Sequence, residues 1–139
     1  MKQSFCIPWA PVPKGRPRVT MIAGRARAYT PAETRHAEAA MKYLLRTMGA
    51  TAFQRGVPLA VQIVFEVARP ASAPKRVLHP CKRPDIDNLT KSVLDAADGI
   101  LWFEDAQVVS LSAVKRFASE GPCIHLTVQE YELRKEAGE

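Results

Sequence analysis

The alternation of apolar and polar residues along the chain predicts β-strands. The clearest alternation covers residues 59–68, where valine, isoleucine and phenylalanine at 61, 63, 65 and 67 point away from Gln62, Val64 and Glu66. Residues two apart in a strand project from the same face, so one face of this strand is predicted to be buried. Shorter stretches predict strands over 3–7, 108–117 and 124–131, the last two joined by a turn at 119–122. A hairpin is predicted where 19–22 and 27–29 flank Ala23-Gly24.

Two other segments follow the period of a helix. The first begins at Thr30-Pro31, where Thr30 can cap and Glu33 completes a capping box, and it runs to about residue 48, before Gly49. Its predicted apolar face is Met41, Leu44, Leu45 and Met48, and its predicted exposed residues are Arg35, Lys42 and Arg46. The second covers about 88–97 and ends at Asp98-Gly99. Its predicted buried stripe is Leu89, Val93, Leu94 and Ala97.

The order of these elements predicts the fold class. It is strand, hairpin, helix, strand, helix, strand, strand, with few helices and with two final strands adjacent along the chain. This order favours an α+β fold, a two-layer mixed sheet with two main helices, formed by a single domain over residues 1–139. A basic, proline-rich loop at 69–84 interrupts it, and loops of that length are often functional.

Composition and charge narrow the class of protein. Apolar residues make up 47% and no apolar run approaches the roughly 20 residues of a membrane span, so no membrane partner is expected. The N-terminus has no apolar core of a signal peptide, so a cytoplasmic location is expected. Three scattered cysteines without a CxxC pair indicate neither a disulfide framework nor a structural zinc site.

The net charge of +6 is unevenly distributed. Residues 1–84 carry 15 Lys+Arg against 3 Asp+Glu, and residues 85–139 carry 5 against 11. A basic half suits a phosphate backbone, and an acidic half suits cations. The alternative is a basic face and an acidic face that only keep the protein soluble, and the motif at the start of the acidic half weighs against it.

That motif is RPDIDNLTK, residues 83–91. Pro84 disfavours helix at Arg83, so the chain arrives extended and Asp85 and Asp87 project from the same face. Both can then reach one Mg²⁺, which prefers carboxylate oxygens, water and phosphate. Asp87 as a helix N-cap, with Asp85 near the helix dipole, is the structural alternative.

Asp105 and Lys91 add to this pair. Asp105 lies in a turn before the strand at 108–117, and Lys91 lies four residues after Asp87, on its side of the helix. Carboxylates that hold a metal, with a lysine beside them, are the groups that phosphodiester hydrolysis needs. A weak surface ion pair between Asp87 and Lys91 is the alternative.

Other classes of protein that carry similar acids fit less well. An EF-hand is excluded because Leu89 and Thr90 stand where it requires an oxygen ligand and a glycine. The chain is short for a DxD nucleotide-sugar transferase, and the PD-(D/E)xK nucleases space their acids differently.

The same residues resemble the RusA family of Holliday-junction resolvases. The match is Arg83-Pro84-Asp85-Ile86-Asp87-Asn88-Leu89-Thr90-Lys91, then Asp95-Ala96, then Trp102-Phe103-Glu104-Asp105-Ala106-Gln107-Val108. Upstream, PKGRPR at 13–18 and YTP at 29–31 resemble the phage type of the family. The departure is Glu104, where the family usually has aspartate.

The resemblance implies a function and its residues. It implies a homodimer of α+β subunits that makes two symmetric nicks across a four-way DNA junction, with one acidic site in each subunit. Asp85, Asp87 and Asp105 match the metal-binding, catalytic carboxylates, and Lys91 matches the catalytic lysine. The expected cofactor is Mg²⁺, for which Mn²⁺ can substitute.

Basic residues in two proline-rich segments are predicted to contact DNA phosphates. They are Lys14, Arg16 and Arg18 in one segment and Lys75, Arg76, Lys82 and Arg83 in the other. Three functions stay open on the residues alone: a junction resolvase, a nuclease for other branched DNA, and a non-catalytic junction-binding accessory protein.

Overall fold

A computed structural model describes residues 1–8, 18–29 and 32–132 of the chain. The described elements are β1 (Lys2–Ile7), β2 (Arg18–Ile22), β3 (Arg25–Tyr29), α1 (Ala32–Thr47), β4 (Leu59–Val67), α2 (Ile86–Ala97), a 3-10 turn (Asp105–Gln107), β5 (Val108–Phe117) and β6 (Cys123–Glu130). This is the order that the hydrophobic pattern predicts. The predicted cap at Thr30-Pro31 lies outside the described residues.

Four strands form one sheet in the order β1-β6-β4-β5. β4 pairs in parallel with β5 and antiparallel with β6, and β6 pairs antiparallel with β1. The predicted α+β fold with a mixed sheet is therefore confirmed. β5 and β6 follow each other along the chain, yet β4 lies between them in the sheet. α2 provides the crossover that a parallel pair such as β4 and β5 requires.

One face of the sheet carries the core. The strands contribute every second residue to it, and the two helices cover this face. The buried residues that they share include Phe5, Ile7, Val61, Ile63, Phe65, Ile124, Leu126, Met41, Leu45, Leu89 and Val93. The opposite face of the sheet carries mainly polar and small residues, together with Val64 and Val114, and is covered by neither helix.

α1 ends one residue earlier than its apolar pattern suggests. Gly49 has φ +83°, its N–H donates to Arg46 O at 3.1 Å, and Ala50 N–H donates to Leu45 O at 3.0 Å. This pair of hydrogen bonds is a Schellman motif, which turns the chain away from the helix axis. Met48 was predicted to lie on the buried face, and that is wrong: it is 39% exposed, because it lies beyond the last helical residue.

Lys42 was predicted to be exposed, and this is also wrong. Its Nζ donates to the backbone oxygens of Asp95 (3.2 Å), Ala96 (3.1 Å) and Asp98 (2.9 Å). These are unpaired carbonyls at the C-terminal end of α2, where the helix dipole favours a cation. Lys42 thus joins α1 to the end of α2.

The remaining elements are local. β2 and β3 form a hairpin with a two-residue turn, in which Ala23 and Gly24 have φ of +51° and +75°. Residues 68–85 form a long loop without helix or strand. No helix in the described part of the chain has the length and apolar character that a membrane crossing requires.

Candidate active site

Asp85 and Asp87 lie at the N-terminal end of α2. Asp85 is the N-cap residue, with an extended backbone (φ −75°, ψ 142°), and its carboxylate makes no capping hydrogen bond. Asp87 lies in the first turn, and its Oδ1 accepts the N–H of Asn88 at 2.9 Å. Both side chains are exposed. Two carboxylates are therefore presented to solvent at one place, at the positive end of the helix dipole.

Lys115 of β5 holds the segment that leads into α2. Its Nζ donates to Lys82 O and Pro84 O, each at 2.9 Å. This residue is not among those predicted from the sequence to belong to the site. Lys115 pairs with Phe65 on the inward-facing side of β5, and a lysine at such a position must find acceptors. That position is the signal that points to an anchoring role.

Lys91 lies on α2 but does not pair with Asp87. Its Nζ is 3.0 Å from Oδ1 of Asp95, one helical turn further along. The Lys91 side chain is 61% exposed, and exposed pairs of this kind contribute little to stability. The ammonium can therefore exchange this partner for a phosphate at little cost.

Asp105 is the first residue of the 3-10 turn that precedes β5. Its Oδ1 accepts a 2.9 Å hydrogen bond from the indole Nε1 of Trp102, which is fully buried. The carboxylate is thus oriented by the core although its residue is exposed.

Gln107 fixes the same turn to the chain before β4. Its Oε1 accepts the N–H groups of Phe103 (3.0 Å) and Glu104 (3.2 Å). Its Nε2 donates to the backbone oxygens of Gln54 (2.9 Å) and Val57 (3.2 Å). The Gln107 side chain is buried, so these four bonds satisfy it and hold the turn. This role is not predicted from the sequence, because the two acceptors of the Gln107 Nε2 group are 50 or more residues away.

The structure separates Asp105 from the other two acids. α2 has 12 residues, hence a length of about 18 Å. Asp85 and Asp87 lie at the N-terminal end of this helix. Trp102 forms a β-bridge with Asp98 at the C-terminal end. Because Trp102 donates a hydrogen bond to Asp105, Asp105 lies near that C-terminal end. Across the described residues, the one group of three ligand atoms within 4.8 Å of one another is Cys6, Cys123 and His125. One chain therefore does not bring the three predicted metal ligands together.

Basic side chains lie on the loop that leads to Asp85 and Asp87 at the N-terminal end of α2. Lys75, Arg76, Lys82 and Arg83 are all exposed on the loop over 68–85. Lys82 and Arg83 also line a cavity of about 240 Å³ between this loop and the ends of β4 and β5. Lys14 and Arg16 lie outside the described residues. Arg18 is the first residue of β2. Its contact with DNA stays a prediction.

Arg55 is a further cation beside the segment that carries Asp105, and it is not predicted from the sequence. Its guanidinium lies 4.2 Å from the centroid of the Phe103 ring, two residues before Asp105. Phe103 is 44% exposed, so the stacked pair is accessible from solvent. Nothing in the local sequence indicates this contact, which depends on the packing of the 50–57 segment against the turn.

Comparison with known proteins identifies the family of this chain. The chain is similar to "Uncharacterized protein YqaN" of Bacillus subtilis (strain 168), with 29% identity over 135 residues that cover 91% of this chain and 94% of that protein. The model of the family described as "Endodeoxyribonuclease RusA" matches residues 8–129, which include both ends of α2 and the whole sheet except β1 and the last residue of β6. The resemblance drawn from the acidic motif is confirmed, and the chain belongs to the RusA family of endodeoxyribonucleases.

Proposed function

We propose that this protein is a Mg²⁺-dependent, structure-selective endonuclease that resolves Holliday junctions by paired symmetric nicks. The observation that carries the proposal is the pair of exposed carboxylates, Asp85 and Asp87, presented at the N-terminus of α2 directly after Lys82 and Arg83. Carboxylates that bind a cation beside cations that bind phosphate are what metal-assisted cleavage of a nucleic acid requires.

The donor set fits Mg²⁺. Asp85, Asp87 and Asp105 offer only oxygen donors, all on exposed residues, and Mg²⁺ prefers a few carboxylates completed by water and phosphate. Mn²⁺ accepts the same donors. When bound, the cation supplies an activated water and neutralises charge on the scissile phosphate. Lys91 then stabilises the charge that develops on the phosphate, after it leaves Asp95.

The separation of the acids along α2 supports a homodimer. The two ends of α2 are too far apart for one cation to contact Asp105 together with Asp85 and Asp87 of the same chain. A two-fold axis can place Asp105 of one chain beside Asp85 and Asp87 of the other, and it does so twice. Such a dimer has two composite sites related by the symmetry that a four-way junction also has. Two nicks on opposed strands follow from this arrangement.

The basic loop accounts for the hold on DNA. Lys75, Arg76, Lys82 and Arg83 are exposed on the loop that leads to Asp85 and Asp87, and they can neutralise phosphates near the cut. Phosphate contacts position DNA without reading its sequence, so selectivity for a junction comes from the spacing of two sites in the dimer.

The test compares four-way, three-way and linear duplex substrates with Mg²⁺ and with EDTA. We expect paired nicks in the four-way junction with Mg²⁺, and no cleavage with EDTA or with Asp87→Asn, while junction binding persists. Equal cleavage of three-way and four-way DNA would contradict the assignment as a resolvase and would indicate a nuclease for other branched DNA. Binding without cleavage by the unaltered chain at any Mg²⁺ or Mn²⁺ concentration would favour an accessory protein.

A further inference from the structure

Two cysteines and a histidine converge on the uncovered face of the sheet. Ligand atoms of Cys6, Cys123 and His125 all lie within 4.8 Å of one another. The strand register explains this: Cys6 of β1 lies directly opposite His125 of β6, and Cys123 lies two residues before His125 on the same face. Two of the three cysteines and one of the three histidines in the chain therefore meet at one place, although 117 positions separate Cys6 from Cys123.

A carboxylate completes the surroundings. Glu66 of β4 lies opposite Cys123, and its Oε2 is 3.0 Å from Cys123 Sγ and 3.5 Å from His125 Nε2. Its Oε1 accepts bonds of 2.6 and 3.0 Å from Arg116 of β5. The Sγ of Cys123 is also 3.2 Å from His125 Nε2. Arg116 thus fixes a carboxylate against two of the three sulfur and nitrogen donors.

We infer that Cys6, Cys123 and His125 bind a zinc ion, with the fourth position open to water or to the Glu66 carboxylate. Two thiolates and an imidazole select a borderline or soft metal over Mg²⁺. Structural and catalytic zinc sites use this donor set in tetrahedral geometry, with Zn–S near 2.3 Å and Zn–N near 2.0–2.1 Å. A 3.2 Å separation of Cys123 Sγ from His125 Nε2 needs only a small adjustment to reach that geometry.

A disulfide fits the same cysteines less well. Cys6 pairs with His125, so Cys123 is its diagonal neighbour across the strands. Diagonal pairs have Cα atoms about 7–8 Å apart, whereas disulfides need about 4.4–6.8 Å. A metal ion can link cysteines whose Cα atoms are this far apart, because two metal–sulfur bonds span a greater distance than one sulfur–sulfur bond.

The metal-free site is internally satisfied. The S–H of Cys123 and the guanidinium of Arg116 hold the pKa of Glu66 down to about 2. Burial, together with the Glu66 carboxylate, raises the pKa of the Cys123 thiol to about 12. Binding of zinc by two thiolates would therefore release the thiol protons of both Cys6 and Cys123 to solvent, and the S–H bond from Cys123 to Glu66 would be lost. The bound ion joins β1 to β6, the first and last strands, and fixes the strand from which the basic segment at 9–17 departs.

This site is distinct from the acids on α2 in both donors and place. The acids lie at the ends of a helix on one side of the sheet, and the thiols lie on the strand face that the helices leave uncovered. Mg²⁺ is therefore not expected to compete for it, and its occupancy can be measured without any nuclease assay.

The experiment uses Co²⁺ as a spectroscopic probe of the full chain, reduced and stripped of metal. We expect one equivalent to give a thiolate-to-cobalt charge-transfer band and tetrahedral d–d bands, both bleached by one equivalent of Zn²⁺ and unchanged by excess Mg²⁺. Cys6→Ser, Cys123→Ser and His125→Ala should each lose the charge-transfer intensity or weaken Zn²⁺ binding at least tenfold. Cys81→Ser is the matched control, because Cys81 is exposed on the 68–85 loop and belongs to no such group.

Several results would overturn the inference. Absence of the charge-transfer band, or its survival in both Cys6→Ser and Cys123→Ser, would remove the site. Loss of the band in Cys81→Ser alone would place the thiol ligand in the loop. A count of one free thiol in the denatured chain, with a mass about 2 Da lower, would show a disulfide instead. Because Cys6 is exposed, Cys6→Ser is the variant that keeps the fold, and its unchanged circular dichroism is checked alongside.

Discussion

The indole N–H of Trp102 donates a 2.9 Å hydrogen bond to the carboxylate of Asp105, so a fully buried side chain orients an exposed one. Trp102 also follows the C-terminal end of α2, where Gly99 N–H donates to its carbonyl at 2.9 Å. The position of this acid is therefore set by the packing of the helix and not by the turn alone. A change inside the core is therefore expected to reach the proposed Mg²⁺ site through this hydrogen bond.

Trp102→Phe tests that coupling. The substitution keeps an aromatic ring but removes the N–H, and loss of an outer partner of a metal ligand weakens metal affinity about 10–100-fold. We expect the Mg²⁺ concentration for half-maximal cleavage to rise by at least tenfold. The control is Leu45→Ala on α1, which removes buried volume and should cost about 2–5 kcal/mol of unfolding free energy without changing the Mg²⁺ dependence. An equal rise in both variants would mean that lost stability, not the bond, is responsible.

Lys42→Met tests the contact between the helices. Lys42 donates to three backbone oxygens at the end of α2, and methionine keeps its length and helix propensity without the charge. We expect the free energy of unfolding in urea to fall by about 1–2 kcal/mol, the size of a favourable charge at a partly buried helix C-terminus.

Arg35→Met is the matched control for Lys42, since Arg35 is exposed on the same helix and should change the unfolding free energy by less than about 0.5 kcal/mol. Equal losses in the two variants would show that the charge of α1, rather than its contacts with α2, is what matters.

The residues that the sequence could and could not predict differ in how far apart their partners lie. Leu89 and Val93 follow the helical period, and Val61 and Ile63 the strand period, so neighbours in sequence were enough to predict their burial. Lys42 was wrongly predicted to be exposed, because its acceptors are 53 to 56 residues away.

The candidate site shows the same division. Asp85 and Asp87 belong to one local motif, and their shared position at the start of α2 followed from it. The distance of Asp105 from them depends on the direction of α2 relative to β5, which only the assembled sheet defines. The cluster of Cys6, Cys123 and His125 has no local pattern at all, since it comes from the antiparallel register of the first and last strands.

Salt dependence tests the predicted phosphate contacts. Each DNA phosphate that a Lys or Arg neutralises releases condensed counterions. Each such contact contributes a slope of about −0.9 to a plot of the logarithm of the binding constant against the logarithm of the salt concentration. The triple variant of Lys14, Arg16 and Arg18 to alanine should therefore bind a four-way junction with a slope shallower by about 3. Arg46→Ala, exposed at the end of α1, serves as the single-charge control. An unchanged slope in the triple variant would remove the N-terminal segment from the DNA footprint.

Mixed dimers test whether the active site is shared between chains. In the composite arrangement, a dimer of one Asp87→Asn chain and one Asp105→Asn chain has both substitutions in the same site and leaves the other site intact. If each chain held its own complete site, the same dimer would have two damaged sites. We expect each variant alone to be inactive, and a 1:1 mixture, refolded together from urea, to regain about a quarter of the normal sites, because half of random dimers are mixed and each has one intact site.

The restored activity should have a specific form. A mixed dimer can nick one strand of a four-way junction but seldom both in the same encounter, so nicked DNA should accumulate without resolved duplexes. The matched control mixes Asp85→Asn with Asp87→Asn, which lie at the same end of α2 and therefore damage both sites in either arrangement; it should stay inactive. Light scattering should give twice the 15.4 kDa mass of the chain for every preparation. A dimeric but inactive mixture of Asp87→Asn and Asp105→Asn would place all three acids in the site of one chain. In that case α2 or the turn after it would have to move when metal and DNA bind.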